Sequence, residues 1–159
     1  MDPASIGRAS ARAAILALGF AMPALFGRGP GVAQSRVPVP IPVAAGEALA
    51  CAERAAREHE GDFALAGSGR SMEPLYVSGT AIVVHPTELH MLRPGMAVVY
   101  RNARGAYVAH VLLEKARGGW TVIGLNNREP DDVLVTENNL VGLIRAAYLP
   151  VAAAVVAAE

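Results

Sequence analysis

A hydroxyl becomes a useful nucleophile only when a neighbouring group can take its proton. The stretch Gly67-Ser68-Gly69-Arg70-Ser71-Met72-Glu73-Pro74 sets Ser71 behind a glycine-rich turn and ahead of a proline. Glycine lets the backbone turn sharply and approach a substrate closely, and proline fixes the chain direction afterwards, so this loop can present a hydroxyl. The candidate bases are one lysine, Lys115, and four histidines. A lysine base needs burial to lower its pKa, whereas Glu114-Lys115-Ala116-Arg117-Gly118-Gly119 is a charged run entering a turn. His59 ends a charged helical stretch, and His85 and His90 flank Pro86-Thr87-Glu88-Leu89, so all three read as structural or solvated. His110 differs. In Tyr107-Val108-Ala109-His110-Val111-Leu112-Leu113 the two-residue period of a strand puts it on the same face as Val108 and Leu112. An ionisable group on an apolar face needs a partner, so His110 is either a hydrogen-bonded core histidine or a working base.

Further along, Ile123-Gly124-Leu125-Asn126-Asn127-Arg128-Glu129-Pro130-Asp131-Asp132 leaves a strand for a loop that carries two adjacent acids. Such a carboxylate can orient an imidazole and stabilise its charged form, or it can simply close a turn or cap a helix.

The elements that must hold these residues come from a chain of 159 residues, with 14 basic and 14 acidic side chains. That length allows one modest domain plus a terminal segment. Charge balance without basic blocks argues against nucleic acid as a partner. The single cysteine, Cys51, excludes an intrachain disulfide and a Cys-rich zinc site. The 31 alanines against 8 aromatics leave the core to Val, Leu, Ile and Ala.

Arg8 and Arg12 precede the uncharged run Ala13 to Gly27, the charged-then-apolar order of an export signal. The run is short for a permanent anchor, and Gly31-Val32-Ala33 offers small residues for a cleavage site after Ala33. Residues 1–33 are therefore expected to be a signal peptide or signal anchor. Residues 34–62 follow as a linker and short helix: Arg36 to Val43 alternates proline with mostly β-branched residues, as an extended linker or edge segment does, and Ala44 to Glu60 has surface-helix composition. From Phe63 the pattern becomes short Val/Ile/Leu-rich runs between turn residues. Strands are expected over Phe63 to Ala66, Ala81 to His85, Met96 to Arg101, Tyr107 to Leu113, Trp120 to Leu125 and Leu140 to Tyr148. The fold class is therefore mainly β, a small antiparallel sheet or barrel-like domain over residues 63–150 with a short N-terminal helix. An apolar tail, 151–159, is too short to cross a bilayer.

The ordered set Gly69-Arg70-Ser71-Met72-Glu73-Pro74, Leu92-Arg93-Pro94-Gly95-Met96-Ala97-Val98-Val99-Tyr100, Val108-Ala109-His110-Val111, Gly124-Leu125-Asn126-Asn127 with Asp131-Asp132, and Val141-Gly142 resembles type I signal peptidases. The likeness is nearer to the archaeal and endoplasmic-reticulum branch, where histidine replaces the lysine base, and the Ser-Met-x-Pro box is shared with LexA-like self-cleaving peptidases. It spans roughly residues 63–148. The resemblance implies a β peptidase fold with Ser71 as nucleophile, His110 as general base and Asp132 as the orienting acid, Asp131 being its neighbour. It also implies Met72 packed beneath the nucleophile and the Ser71 backbone N–H in an oxyanion hole. The sequence departs from the family pattern at Leu125, where an acid is usual, at Val111, where arginine is usual, and at Gly69, where serine is frequent. The expected activity is cofactor-free endoproteolysis of exported or membrane-associated peptides or preproteins, in the periplasm or cell envelope, with the N-terminal segment either removed or kept as an anchor. Two alternatives stand beside it: a catalytically impaired relative that binds peptides, and a self-cleaving peptidase of LexA type.

Overall fold

The computed structural model describes residues 36–152. The expected export signal and most of the apolar tail lie outside the described residues. Among the described residues, seven strands and one α-helix run in the order β1 (Ile41–Ala44), α1 (Ala48–Ala56), β2 (Phe63–Ala66), β3 (Ala81–His85), β4 (Ala97–Arg101), β5 (Tyr107–Ala116), β6 (Gly119–Ile123) and β7 (Leu140–Val151), with a short 3-10 helix at Leu89–Met91 between β3 and β4. They form one sheet ordered β2-β3-β7-β4-β5-β6, with β1 added beside the end of β7. All pairings are antiparallel except β1 with β7. The mainly β, antiparallel class expected from the short apolar runs is the class observed.

The sheet is covered on both faces, and its centre explains why. Along β4, Ala97 and Val99 point into one apolar cluster with Met72, Tyr76, Ile82, Val84 and Ile144. Val98 and Tyr100 point the other way, joining Leu92, Leu112, Trp120, Val122 and Val135. A strand buried on both faces reads as a continuous apolar run, which Ala97-Val98-Val99-Tyr100 is. A third cluster seats the helix. Ala48, Ala52 and Ala56 recur every four residues and lie against Ala81 and Val83, small side chains allowing close approach of helix and sheet.

Differences from the expected boundaries have local causes. The helix covers Ala48–Ala56 rather than 44–60, because residues 41–44 pair with Tyr148 to Val151 and Gly46, at φ +87°, turns the chain between strand and helix. The end of the proline-rich stretch, Ile41 to Val43, is therefore part of an edge strand, and Val37 before it is buried in the core. The β5–β6 hairpin runs on to Ala116 and Gly119, which pair across the two-residue turn Arg117-Gly118. Lys115 thus lies on a strand, exposed, opposite Trp120.

Candidate active site

Three segments converge at the end of the sheet where β5 changes partners. Tyr107 to Val111 pair with β4, while β6 pairs with β5 only from Val111 onward. His110 lies just before that handover. Its cross-strand partner is Val98, so it faces the Leu112 and Trp120 side of the sheet, and it is 5% exposed.

The loop after β6 supplies its acid. Asp131 N–H donates to the Val122 carbonyl at 2.9 Å, which returns the chain to β6 and aims the Asp131 side chain inward. Asp131 Oδ2 lies 2.7 Å from His110 Nδ1. An ionised carboxylate only accepts hydrogen bonds, so Nδ1 carries the proton and Nε2 of the neutral ring presents its lone pair. The Tyr100 hydroxyl donates to the same Asp131 oxygen. Burial first, and then the adjacent Asp131 carboxylate, push the Tyr100 phenol above its ordinary pKa, so it remains a donor.

The Ser71 loop is pinned against this loop by backbone contacts. Asn126 N–H donates to the Ser71 carbonyl at 2.8 Å, and Asn126 Nδ2 donates to the Arg70 carbonyl at 3.1 Å. Met72, beneath the serine, is buried in the core, and its carbonyl accepts from Tyr76 N–H at 2.9 Å. Gly124 marks how closely the parts meet. A Cβ there would stand 2.6 Å from the Ser71 carbonyl oxygen, 2.9 Å from His110 Nε2 and 3.0 Å from Asn127 Cγ. Only glycine fits that junction. Nε2 is buried and has no hydrogen-bond partner among the described residues. A buried lone pair, anchored from behind and set beside a serine loop, can accept a hydroxyl proton.

A cleft of about 230 Å³ opens beside Ser71, between Leu65 to Gly69 on one wall and Tyr107 to Ala109 on the other, with Met72, Tyr76, Ile82 and Val99 below. Both walls are strand edges without a paired neighbour among the described residues, since β2 pairs only with β3 and β6 does not reach Tyr107 to His110.

The sequence-derived candidates are placed unequally. His110 and Asp131 are brought together, and the Ser71 backbone meets the imidazole across Gly124, while the Ser71 hydroxyl makes no hydrogen bond to Nε2. Asp132, the acid matched to the orienting role, is exposed and has no side-chain hydrogen bond among the described residues, while its neighbour Asp131 meets the imidazole. Successive residues of an extended segment point to opposite sides, and the Val122 tether selects Asp131. His85 is bound elsewhere, with Nδ1 2.5 Å from Asp62 Oδ1, and Arg145 Nη1 lies 3.3 Å from the other Asp62 oxygen. His90 sits on an exposed turn 3.0 Å from Glu88. Sequence reasoning missed Tyr100 and the role of Gly124. The signal for Tyr100 was its position two residues from Val98, on the face His110 shares.

A glycine-bounded serine, a buried acid-anchored histidine and a strand-edged cleft on a small β domain are the features of a serine peptidase class. A family model described as Peptidase S24-like matches residues 32–144, and the chain belongs to that family. No curated protein matches the chain.

Proposed function

We propose that this protein is a serine endopeptidase of signal-peptidase type. Ser71 Oγ attacks the scissile carbonyl carbon while His110 Nε2 takes its proton. The imidazolium, held by Asp131, passes that proton to the leaving amine as the C–N bond breaks. Water, deprotonated by the same nitrogen, then cleaves the acyl-serine ester. The observation that carries the reading is the unpartnered, buried His110 Nε2 at the Gly124 junction with the Ser71 loop.

Substrate enters as an extended segment that pairs with the free edges at Leu65 to Gly69 and Tyr107 to Ala109. Small side chains next to the cut are part of the proposal, as the resemblance to signal peptidases implies. The proposal includes export to the periplasm or envelope, with preproteins or exported peptides as substrates. The test is cleavage of signal-like peptides by the purified chain and by Ser71→Ala. Cleavage lost in the variant supports the serine mechanism, and unchanged cleavage refutes it. Peptide binding without cleavage in the wild type would instead identify a binding module. Mass spectrometry of the mature protein addresses export, a start at Gln34 being the expected result.

A further inference from the structure

We propose that Tyr100 is a positioning residue of this site, its hydroxyl clamping the Asp131 carboxylate so that His110 is held in the tautomer able to take a proton. The rate consequences rest on the serine-peptidase reading above; the geometry does not.

Tyr100 pairs with Val108 and His110 with Val98, so the two rings are diagonal neighbours on one face of the β4–β5 ladder. Their centroids are 6.2 Å apart and the planes are tilted by 57°. Tyr100 is among the largest fully buried side chains, while Asp131 rides on a loop whose neighbours on both sides are exposed. The rigid member is therefore the tyrosine. One carboxylate oxygen, Oδ2, receives both the Tyr100 hydroxyl and His110 Nδ1–H. Two donors on one oxygen fix the carboxylate plane, since rotating it would break both bonds. A loop carboxylate without the phenol has only the imidazole to hold it against solvent. Leu125, on the same loop, is 41% exposed and offers no second anchor. The charged and titratable groups around the imidazole are Tyr100 from β4 and Asp131 from the loop, with Arg128, Glu129 and Asp132 at the rim of the same recess.

The experiment compares wild type with Tyr100→Phe, which keeps the ring and removes the donor. The expected result is a kcat about tenfold lower with KM unchanged, as suits a lost hydrogen bond to a charged group. The acid limb of the kcat/KM profile moves to higher pH, because a carboxylate with one donor fewer places more negative charge on the imidazolium. In an Asp131→Asn background the same change costs less than about twofold, since Tyr100 acts through Asp131. An unshifted acid limb, or a loss that adds fully to that of Asp131→Asn, overturns the proposal. Site-specific 3-fluorotyrosine at position 100 serves where Tyr100→Phe fails to fold. It strengthens the donor without altering the packing and should move the acid limb to lower pH; an unmoved limb overturns the proposal. The His110 Nδ1–H proton resonance gives a reading that needs no turnover. A shift in Tyr100→Phe supports the clamp and an unchanged resonance overturns it, even in a protein that fails to cleave peptides and so refutes the peptidase reading.

Discussion

Replacing Gly124 with alanine adds a single methyl group at the point where the Ser71 loop and the His110 ring meet. Its Cβ would lie 2.6 Å from the Ser71 carbonyl oxygen and 2.9 Å from His110 Nε2, where ordinary contact begins at 3.4 Å. The carbonyl must therefore retreat by ~0.8 Å and the imidazole by ~0.5 Å, in a region too well packed to absorb the change freely. Neither group can move alone. The carbonyl is tied to Asn126 N–H at 2.8 Å, and the imidazole is tied to Asp131 at 2.7 Å. Gly124 itself lies outside the left-handed region, so the effect is steric and not conformational. Overpacking of this kind costs about 1–3 kcal/mol of stability. Misplacing reacting groups by a sizeable fraction of an ångström lowers kcat/KM by about a hundredfold. The assay is hydrolysis of an extended peptide with small residues at the cut, beside urea denaturation of the same preparations. Labelling of Ser71 by a serine-directed phosphonate reports the same geometry where turnover is slow. A folded Gly124→Ala protein that cleaves and labels within about threefold of wild type would refute the argument that this junction aligns Ser71 and His110.

The two neighbouring acids should separate cleanly. Asp131→Asn is expected to lower kcat about 10²- to 10⁴-fold by releasing the imidazole tautomer, whereas Asp132→Asn, on an exposed side chain, changes it by less than about twofold in the same peptide assay. Asp62→Asn removes the buried partner of His85 and Arg145 and should cost about 1–3 kcal/mol in urea denaturation while leaving the peptide kinetics of the folded protein unchanged. Leu92→Ala opens a cavity in the cluster that lines the His110 face of the sheet, and an expected loss of about 2–5 kcal/mol is checked by the same denaturation.

What was legible in the sequence follows from the range of the interactions involved. Strands such as Ala81 to His85 and Phe63 to Ala66 were readable because their apolar runs are bounded by turn residues, a local signal. The position of His110 was readable because a strand's period alone determines its face. The pairing of residues 41–44 with β7 was not, since it depends on a partner more than a hundred residues away. The choice between Asp131 and Asp132 was beyond the sequence for a related reason. It turns on one backbone hydrogen bond to Val122 across an irregular loop, and a shift of one residue would have faced the other acid inward. Gly124 was visible only as part of a motif and not for its steric role, because the crowding there comes from Ser71 and His110, both remote along the chain.

The division of β5 between two neighbours has a practical consequence. Its first half carries His110 against β4, and its second half only zips with β6 into a hairpin closed at Arg117-Gly118, both exposed. The far end of that hairpin can lengthen without changing the register that sets His110, which depends on β4. It is therefore a handle. A tag, a fluorescent reporter or a tethering sequence inserted between Arg117 and Gly118 should be carried without disturbing the contact between His110 and Asp131.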